Sequence, residues 1–232
     1  MWIPDWTFIL IIPAMLFALI AQARVSTNFK KYSKVKSRSG KTGAEIAREM
    51  LLDAGIHDVA VESIRGNLTD HYDPRTKTLR LSESVHGSDS LAAAGVAAHE
   101  TGHAIQHYMS YSPLGIRSAI VPVVGIGSKI AWPIFFVGLL LTQFDGDFGW
   151  ILIQFGIVLF ALTVVFSFIT LPVEFNASKR AVKLLSEHMV VSDDEMGSVK
   201  KVLNAASMTY VAAAAVAVMQ LLRLILIANR RR

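Results

Sequence analysis

The run FGWILIQFGIVLFALTVVFSFITL, residues 148–171, is 24 residues long and contains no charged side chain. A helix rises about 1.5 Å per residue, so this run is long enough to cross the roughly 30 Å hydrocarbon core of a bilayer. The composition of the whole chain agrees, because 53% of its 232 residues are hydrophobic and only 18% are charged. Soluble domains contain about 25% charged residues, and disordered chains are poor in apolar ones. The sequence therefore favours a membrane protein and excludes a disordered chain.

The segment in front of this run predicts the other half of a transmembrane hairpin. Residues 130–144 are apolar but too short to span a bilayer alone. We therefore expect their helix to extend back toward Ile120 and the hairpin to occupy residues 116–172. The tip between the two helices, residues 143–147, carries two aspartates, as an external loop can.

Apolar segments also lie near both ends of the chain. Residues 6–23 have no charge over 18 residues, which predicts an N-terminal transmembrane anchor at residues 1–23. Residues 203–232 are apolar and rich in alanine, but they end in three arginines. Those arginines would lie outside if this segment crossed the membrane, against the positive-inside rule. We therefore expect residues 203–232 either to span or to associate with the membrane, which gives three or four transmembrane helices.

Basic residues cluster directly after the first apolar segment. Seven Lys or Arg side chains lie between Arg24 and Lys41, and no acidic residue occurs until Glu45. The positive-inside rule then places residues 24 onward in the cytoplasm and the N-terminus outside. A cleaved signal peptide would carry this charge ahead of its apolar run, so we expect an uncleaved anchor. The placement makes the lipid bilayer, and not nucleic acid, the partner of the net charge of +5.

Residues 24–115 are predicted to form a small α+β region. Thr42 and Glu45 are spaced as a capping box and begin a helix that ends at Gly55. Strands are predicted at residues 59–64 and 76–85, separated by a turn at Asp73-Pro74. A long helix should follow, from a cap at Ser88, Asp89 or Ser90 to about Met109.

The sequence His99-Glu100-Thr101-Gly102-His103 lies inside that long helix. Two histidines at positions i and i+4 project from one helical face about 6 Å apart, and both can reach one Zn²⁺ ion. Glu100 adjoins the first histidine and is placed to accept a proton from a water molecule at the metal. The chain contains no cysteine, so thiolate ligands and thiol nucleophiles are excluded. The motif therefore predicts one catalytic zinc ion.

A catalytic zinc needs a third protein ligand, and the spacing after His103 does not supply it. His107 lies eight residues after His99, so we expect it either to contact a ligand without binding the metal itself or to pack against neighbouring side chains. Asp145 and Glu174 remain as candidates. One predicted membrane crossing separates the histidines from Asp145 and two separate them from Glu174, so Glu174 returns to the same face. Pro172 suits the first turn of a helix that would hold Glu174. The alternative is an ordinary first-turn acid that faces the helix dipole.

These features together carry a family resemblance. The motif at residues 99–103, a hairpin and then Glu174-Phe175-Asn176-Ala177 resemble the membrane gluzincins, which include the HtpX heat-shock protease and the CAAX prenyl proteases. The chain is more similar still to the YugP-type zinc-dependent membrane metallopeptidases, which residues 67–75 and 213–223 also fit. The resemblance covers nearly the whole chain. It implies zinc ligands His99, His103 and Glu174, with Glu100 as the general base. HtpX-like proteins have an aspartate where this chain has Ser178, so we expect only a weak hydrogen bond from Ser178 to a ligand.

The expected fold is a mostly α membrane protein with three or four transmembrane helices and a small α+β zincin-like cytoplasmic region. In this interpretation residues 173–202 form a cytoplasmic helix that carries the third ligand. The strand at residues 76–85 would bind extended substrate at its edge. The candidates for stabilising the oxyanion are His188, Tyr210 and Arg223.

The expected function is a zinc endopeptidase in a bacterial plasma membrane. It would span the membrane several times, with its active site facing the cytoplasm, and cleave proteins or peptides that include membrane proteins. One alternative is a site-2-like intramembrane protease, which needs the His99 helix in lipid, and charges such as Asp89 and Arg117 disfavour that. Another is a non-catalytic zinc-binding scaffold, which would have no need of the base Glu100. The sequence predicts no oligomeric state.

Overall fold

The computed structural model describes residues 6–230. It is mostly α-helical with one small sheet, which confirms the predicted fold class. After a short 3-10 helix, Trp6–Leu10, the elements are α1 (Ile12–Tyr32), α2 (Gly43–Asp53), β1 (Ala60–Ile64), β2 (His71–Asp73), β3 (Thr78–Ser82), α3 (Glu83–His86), α4 (Leu91–Tyr108), α5 (Ser112–Leu141), α6 (Gly146–Glu187) and α7 (Asp193–Asn229).

Within residues 6–230, four helical segments are long and apolar enough to cross a membrane: Trp6–Tyr32, α5, α6 and α7. Large apolar side chains on α5 and α6 remain more than half exposed, as a lipid-facing surface requires; among them are Ile126, Phe136, Ile151 and Val158. The sequence left the last segment open, and α7 is a continuous helix of 37 residues that meets the length criterion. The structure therefore supplies four candidate spans.

The chain forms two compact units. The first contains the residues up to Ile20, Ile116–Leu171 and the residues from Thr209 onward, and the second contains Ala21–Gly115 and Pro172–Met208. Helices α6 and α7 each contribute to both units.

Pro172 lies inside α6, so the prediction that a new helix begins there is wrong. A proline removes one backbone hydrogen bond from a helix interior, and α6 continues across that loss. Glu174 is therefore a mid-helix residue and not a first-turn acid. The segment over residues 173–202 is likewise not one helix, because it contains the end of α6 and the start of α7.

Within the first unit, α5 and α6 form a hairpin with close backbone packing. A Cβ atom added to Gly138 would lie 2.7 Å from the backbone nitrogen of Ile153, and one added to Gly156 would lie 2.9 Å from the Cβ of Phe135. Small residues allow such an approach where two helices pack in a membrane. At the tip, the Asp145 carboxylate accepts a hydrogen bond of 3.0 Å from the Phe148 backbone N–H and so caps the first turn of α6.

Within the second unit, the three strands have the order β1-β3-β2. Strand β3 is parallel to β1 and antiparallel to β2. It is therefore the central strand, and the prediction that its edge binds substrate is wrong. The sequence analysis missed β2, which directly precedes the turn at Asp73-Pro74. The free edges of the sheet belong to β1 and β2.

Helix α4 is buried along most of its length in the second unit. Its N-cap is Ser90, whose hydroxyl accepts a hydrogen bond from the Ala93 N–H, and the predicted capping box of Thr42 and Glu45 begins α2. Alanines on α4 pack against Ile46 and Met50 of α2 and against α6 and α7. Small side chains let these helices approach closely.

Helix α4 approaches α6 closely at Gly102, inside the His99–His103 motif. A Cβ atom there would lie 2.8 Å from the carbonyl oxygen of Ala177, a backbone atom that no side-chain rotation can move away. Glycine at this position therefore sets the separation of the two helices.

We expect Gly102→Ala to lower the free energy of unfolding by about 1–3 kcal/mol, because the methyl group must push α4 and α6 apart. A thermal melt of the purified protein in detergent measures this loss. Gly197→Ala is the matched control, since a Cβ atom there meets nothing within 4 Å and alanine favours a helix. Equal melting temperatures for the two variants would contradict the close contact.

Candidate functional site

Three side chains from two helices of the second unit meet at one point. His99 and His103 project from one face of α4, and Glu174 projects from α6. Their ligand atoms all lie within 4.8 Å of one another, so the group is able to hold a metal ion. The Oε2 atom of Glu174 lies 3.3 Å from Nε2 of His99 and 3.6 Å from Nε2 of His103. The structure thus brings together the three side chains that the sequence analysis named as ligands.

The cluster is buried, and its charge requires compensation. Glu174 is 2% exposed and His103 is 9% exposed. Burial lowers the pKa of His103, but its hydrogen bond to Glu174 and the charges of Glu100 and Glu174 outweigh that effect and leave the pKa above its ordinary value. A buried carboxylate is costly unless a positive charge accompanies it. The surroundings therefore favour a cation between these side chains.

The far side of the His103 ring is held by Gln106, one turn further along α4. His103 Nδ1 lies 3.0 Å from Gln106 Oε1. The amide nitrogen of Gln106 donates to the carbonyl oxygen of Val173 and to Asn176 Oδ1, both at 2.9 Å. Gln106 is fully buried, so α4 is tied to α6 directly beside the cluster.

The far side of the His99 ring is held by two serines. Ser178 Oγ lies 3.1 Å from His99 Nδ1. Ser207 Oγ on α7 lies 3.3 Å from Ser178 Oγ and donates to the Leu203 carbonyl oxygen at 3.0 Å. Both histidines therefore use Nδ1 for contacts within the protein and direct Nε2 toward Glu174.

Glu100 adjoins His99 on α4 and is only partly buried. Within residues 6–230 its carboxylate has no hydrogen-bond or ion-pair partner. No structural contact therefore occupies this carboxylate, which is what a proton acceptor for substrate chemistry requires.

Two of the other predicted residues, His107 and His188, have partners outside the cluster. His107 hydrogen-bonds through Nδ1 to the Tyr72 hydroxyl on β2, at 2.9 Å, and His188 pairs with Asp53 at 3.0 Å. Tyr210 and Arg223 belong to the first unit, in which the Arg223 guanidinium lies 5.4 Å from the centre of the Phe8 ring. The carboxylate of Asp145, the rival ligand, caps the first turn of α6.

The sequence analysis missed Gln106, Asn176 and Ser207 as parts of the site. Gln106 stands at i+3 from His103, a spacing that places two side chains side by side on a helix. Ser207 is one of the few polar residues in the apolar run from Val202 to Leu222. Both signals were present, but neither identifies a partner that is distant in sequence.

The donor set fits zinc. Two imidazole nitrogens and one carboxylate oxygen are the protein ligands of one common class of catalytic zinc site, which leaves a further position for water or substrate. Hydrogen bonds from the other imidazole nitrogen to protein groups are usual for zinc-binding histidines.

Comparisons with known proteins agree with this geometry. Residues 7–229 match the protein family described as "Putative neutral zinc metallopeptidase". The chain is 48% identical over 218 residues, 94% of each chain, to the "Putative membrane protease YugP" of Bacillus subtilis (strain 168). No solved structure matches the chain significantly. The two imidazoles and the buried carboxylate are able to hold one metal ion. Because the family matches the chain over nearly its whole length, the protein belongs to the zinc metallopeptidase family.

Proposed function

We propose that this protein is a membrane-embedded zinc endopeptidase, with His99, His103 and Glu174 as the metal ligands and Glu100 as the general base. The observation that carries the proposal is the convergence of these three side chains beside the Glu100 carboxylate, which has no hydrogen-bond or ion-pair partner in the part of the chain that the structure describes. In the terms of zinc peptidases this is the HEXXH gluzincin arrangement.

The residues of the chain divide the chemistry between them. His99, His103 and Glu174 would hold the zinc ion, which would supply a Lewis acid to polarise the scissile carbonyl. Glu100 takes a proton from the attacking water and later delivers it to the departing amine. Tyr210 and Arg223 remain predictions for stabilising the oxyanion.

Strand β2 is the strand that we propose binds the substrate. It lies at an edge of the sheet, and the hydrogen bond from Tyr72 to His107 ties it to α4, the helix that carries the ligands. An exposed edge can pair with an extended peptide through main-chain hydrogen bonds. This arrangement supports a protein or peptide substrate, membrane proteins included.

We further propose that the site faces the cytoplasm of a bacterial plasma membrane. If all four candidate helices cross, the segments between α1 and α5 and between α6 and α7 lie on the same side. The seven basic residues between Arg24 and Lys41 belong to that side and outnumber the three arginines that end the chain. The positive-inside rule then assigns it to the cytoplasm.

Two observations favour this proposal over the alternatives. Helix α4 is not among the candidate spans and is covered by α2 and the sheet. An intramembrane protease would need the ligands of α4 to lie within the lipid, and this packing does not require that. A non-catalytic scaffold would give no role to the unpartnered Glu100.

Glu100→Gln should reduce peptide cleavage by at least about 100-fold while the protein still binds one zinc ion, because the amide cannot accept the proton. Cleavage of an unfolded membrane protein and zinc content should be measured on the same purified sample. Near-wild-type turnover would exclude Glu100 as the base.

Glu174→Ala should weaken zinc binding and stop cleavage, because two histidines alone hold the metal poorly. Asp145→Ala is the matched control: it removes a helix cap, worth about 1 kcal/mol, and should leave the zinc content unchanged. Zinc bound normally by Glu174→Ala and lost in Asp145→Ala would support the intramembrane alternative. Thermal melts of both variants separate ligand loss from misfolding.

Orientation can be measured with topology reporters. A reporter fused after Lys41 should report the cytoplasm, and one inserted at Gly146 should report the outside. A cytoplasmic signal at Gly146 would place Asp145 on the same side of the membrane as the histidines, and membrane crossings would then no longer favour Glu174 over Asp145.

A further inference from the structure

We infer that Ser207 is a positioning residue that fixes the proton of His99 on Nδ1, through Ser178, so that Nε2 is free to bind the metal. Within residues 6–230, the Ser207 hydroxyl bonds Ser178 and the Leu203 carbonyl, and makes no hydrogen bond to the three ligands or to Glu100. The inference rests on the proposed metal site and adds a device that prepares it. A second device, centred on Gln106, does the same for His103.

The direction of each hydrogen bond in the serine chain follows from counting protons. Ser207 has one hydroxyl proton and donates it to the Leu203 carbonyl, which can only accept. The proton between the two serines must therefore come from Ser178. With that proton used, Ser178 can only accept at its contact with His99, so His99 Nδ1 carries a hydrogen.

Reversing this chain is costly. If Ser178 donated to His99, one of the other two contacts would lose its proton. Either the Ser207 and Leu203 oxygens would face each other at 3.0 Å, or the two serine oxygens at 3.3 Å, with no proton between them. The Leu203 carbonyl therefore determines the tautomer of His99 through the two serine side chains that lie between them.

The same count of protons determines the tautomer of His103, but this network ends in a donor, Arg180, and not in an acceptor. Arg180 Nε is an obligatory donor and bonds Asn176 Oδ1 at 2.8 Å, which sets the orientation of the Asn176 amide. Both amide protons of Gln106 are then used, on Asn176 and on the Val173 carbonyl. Gln106 presents its oxygen to His103 Nδ1, which must carry the hydrogen.

The consequence for metal binding is direct. A neutral imidazole has one N–H and one lone pair, and only the nitrogen with the lone pair binds a metal. Both chains place the hydrogen on Nδ1 and leave the lone pair on Nε2, the atom that faces Glu174. The ligands are thus set for a cation before it arrives.

The decisive measurement is the tautomer of each histidine in the metal-free protein. Selective ¹⁵N-histidine labelling and NMR in detergent distinguish Nδ1–H from Nε2–H, at alkaline pH where imidazoles are neutral. In Ser207→Ala, Ser178 is released to donate, so His99 should shift toward Nε2–H while His103 stays unchanged. In Gln106→Leu the pattern should be reversed.

Zinc affinity supplies a second measurement. Competition with a chromophoric chelator should show about a tenfold loss in Ser207→Ala, within the range known for residues that orient zinc ligands. Ser207→Thr keeps the hydroxyl and should restore both the tautomer and the affinity. Ser167→Ala is the matched control, because it removes a hydroxyl that bonds a helix carbonyl, that of Thr163, elsewhere on α6.

An unchanged His99 tautomer in Ser207→Ala would overturn the inference, and so would equal shifts of both histidines, which would indicate general loosening. The proposed function fails separately. If zinc added to the wild-type protein leaves the Nε2 resonances of His99 and His103 unmoved, the metal site is wrong whatever the tautomers show.

Discussion

The burial of one carboxylate between two imidazoles is the constraint on which the rest of the second unit depends. Glu174 is almost fully enclosed, and an enclosed carboxylate is stable only beside positive charge and hydrogen-bond donors. Bringing those groups together requires α4 and α6 to pack nearly backbone to backbone, which Gly102 allows. The buried alanines of α4 and the ties through Gln106 hold the two helices at that separation.

Properties encoded in neighbouring residues were predictable from the sequence. Apolar runs identified the candidate membrane spans, the i, i+4 spacing identified two side chains of the cluster, and the Thr42–Glu45 pair identified a helix start. The number of predicted membrane crossings favoured Glu174 over Asp145, although the prediction that Glu174 lies at the start of a helix was wrong. Contacts between distant segments were not predictable in this way. The central position of β3 depends on β2, a strand of three residues, and Ser207 acquires its partner only when α7 packs beside α6.

The hydrogen-bond chains behind the two histidines differ in chemistry from a carboxylate partner. A carboxylate accepts from Nδ1–H in any orientation and adds negative charge to the site. A hydroxyl or an amide is neutral and accepts only if its own protons are used elsewhere. The protein therefore needs hydrogen-bond networks that extend to the Leu203 carbonyl and the Arg180 guanidinium, because a carbonyl can only accept and a guanidinium can only donate.

Neutral partners also determine the electrical balance of the filled site. The charges of a divalent ion, the Glu174 and Glu100 carboxylates and two neutral imidazoles sum to zero. A proton and the metal ion compete for the same Nε2 atoms of His99 and His103. Metal release and proton uptake become two sides of one equilibrium. Zinc binding at the proposed site should therefore weaken as the pH falls, because its ligands must be deprotonated.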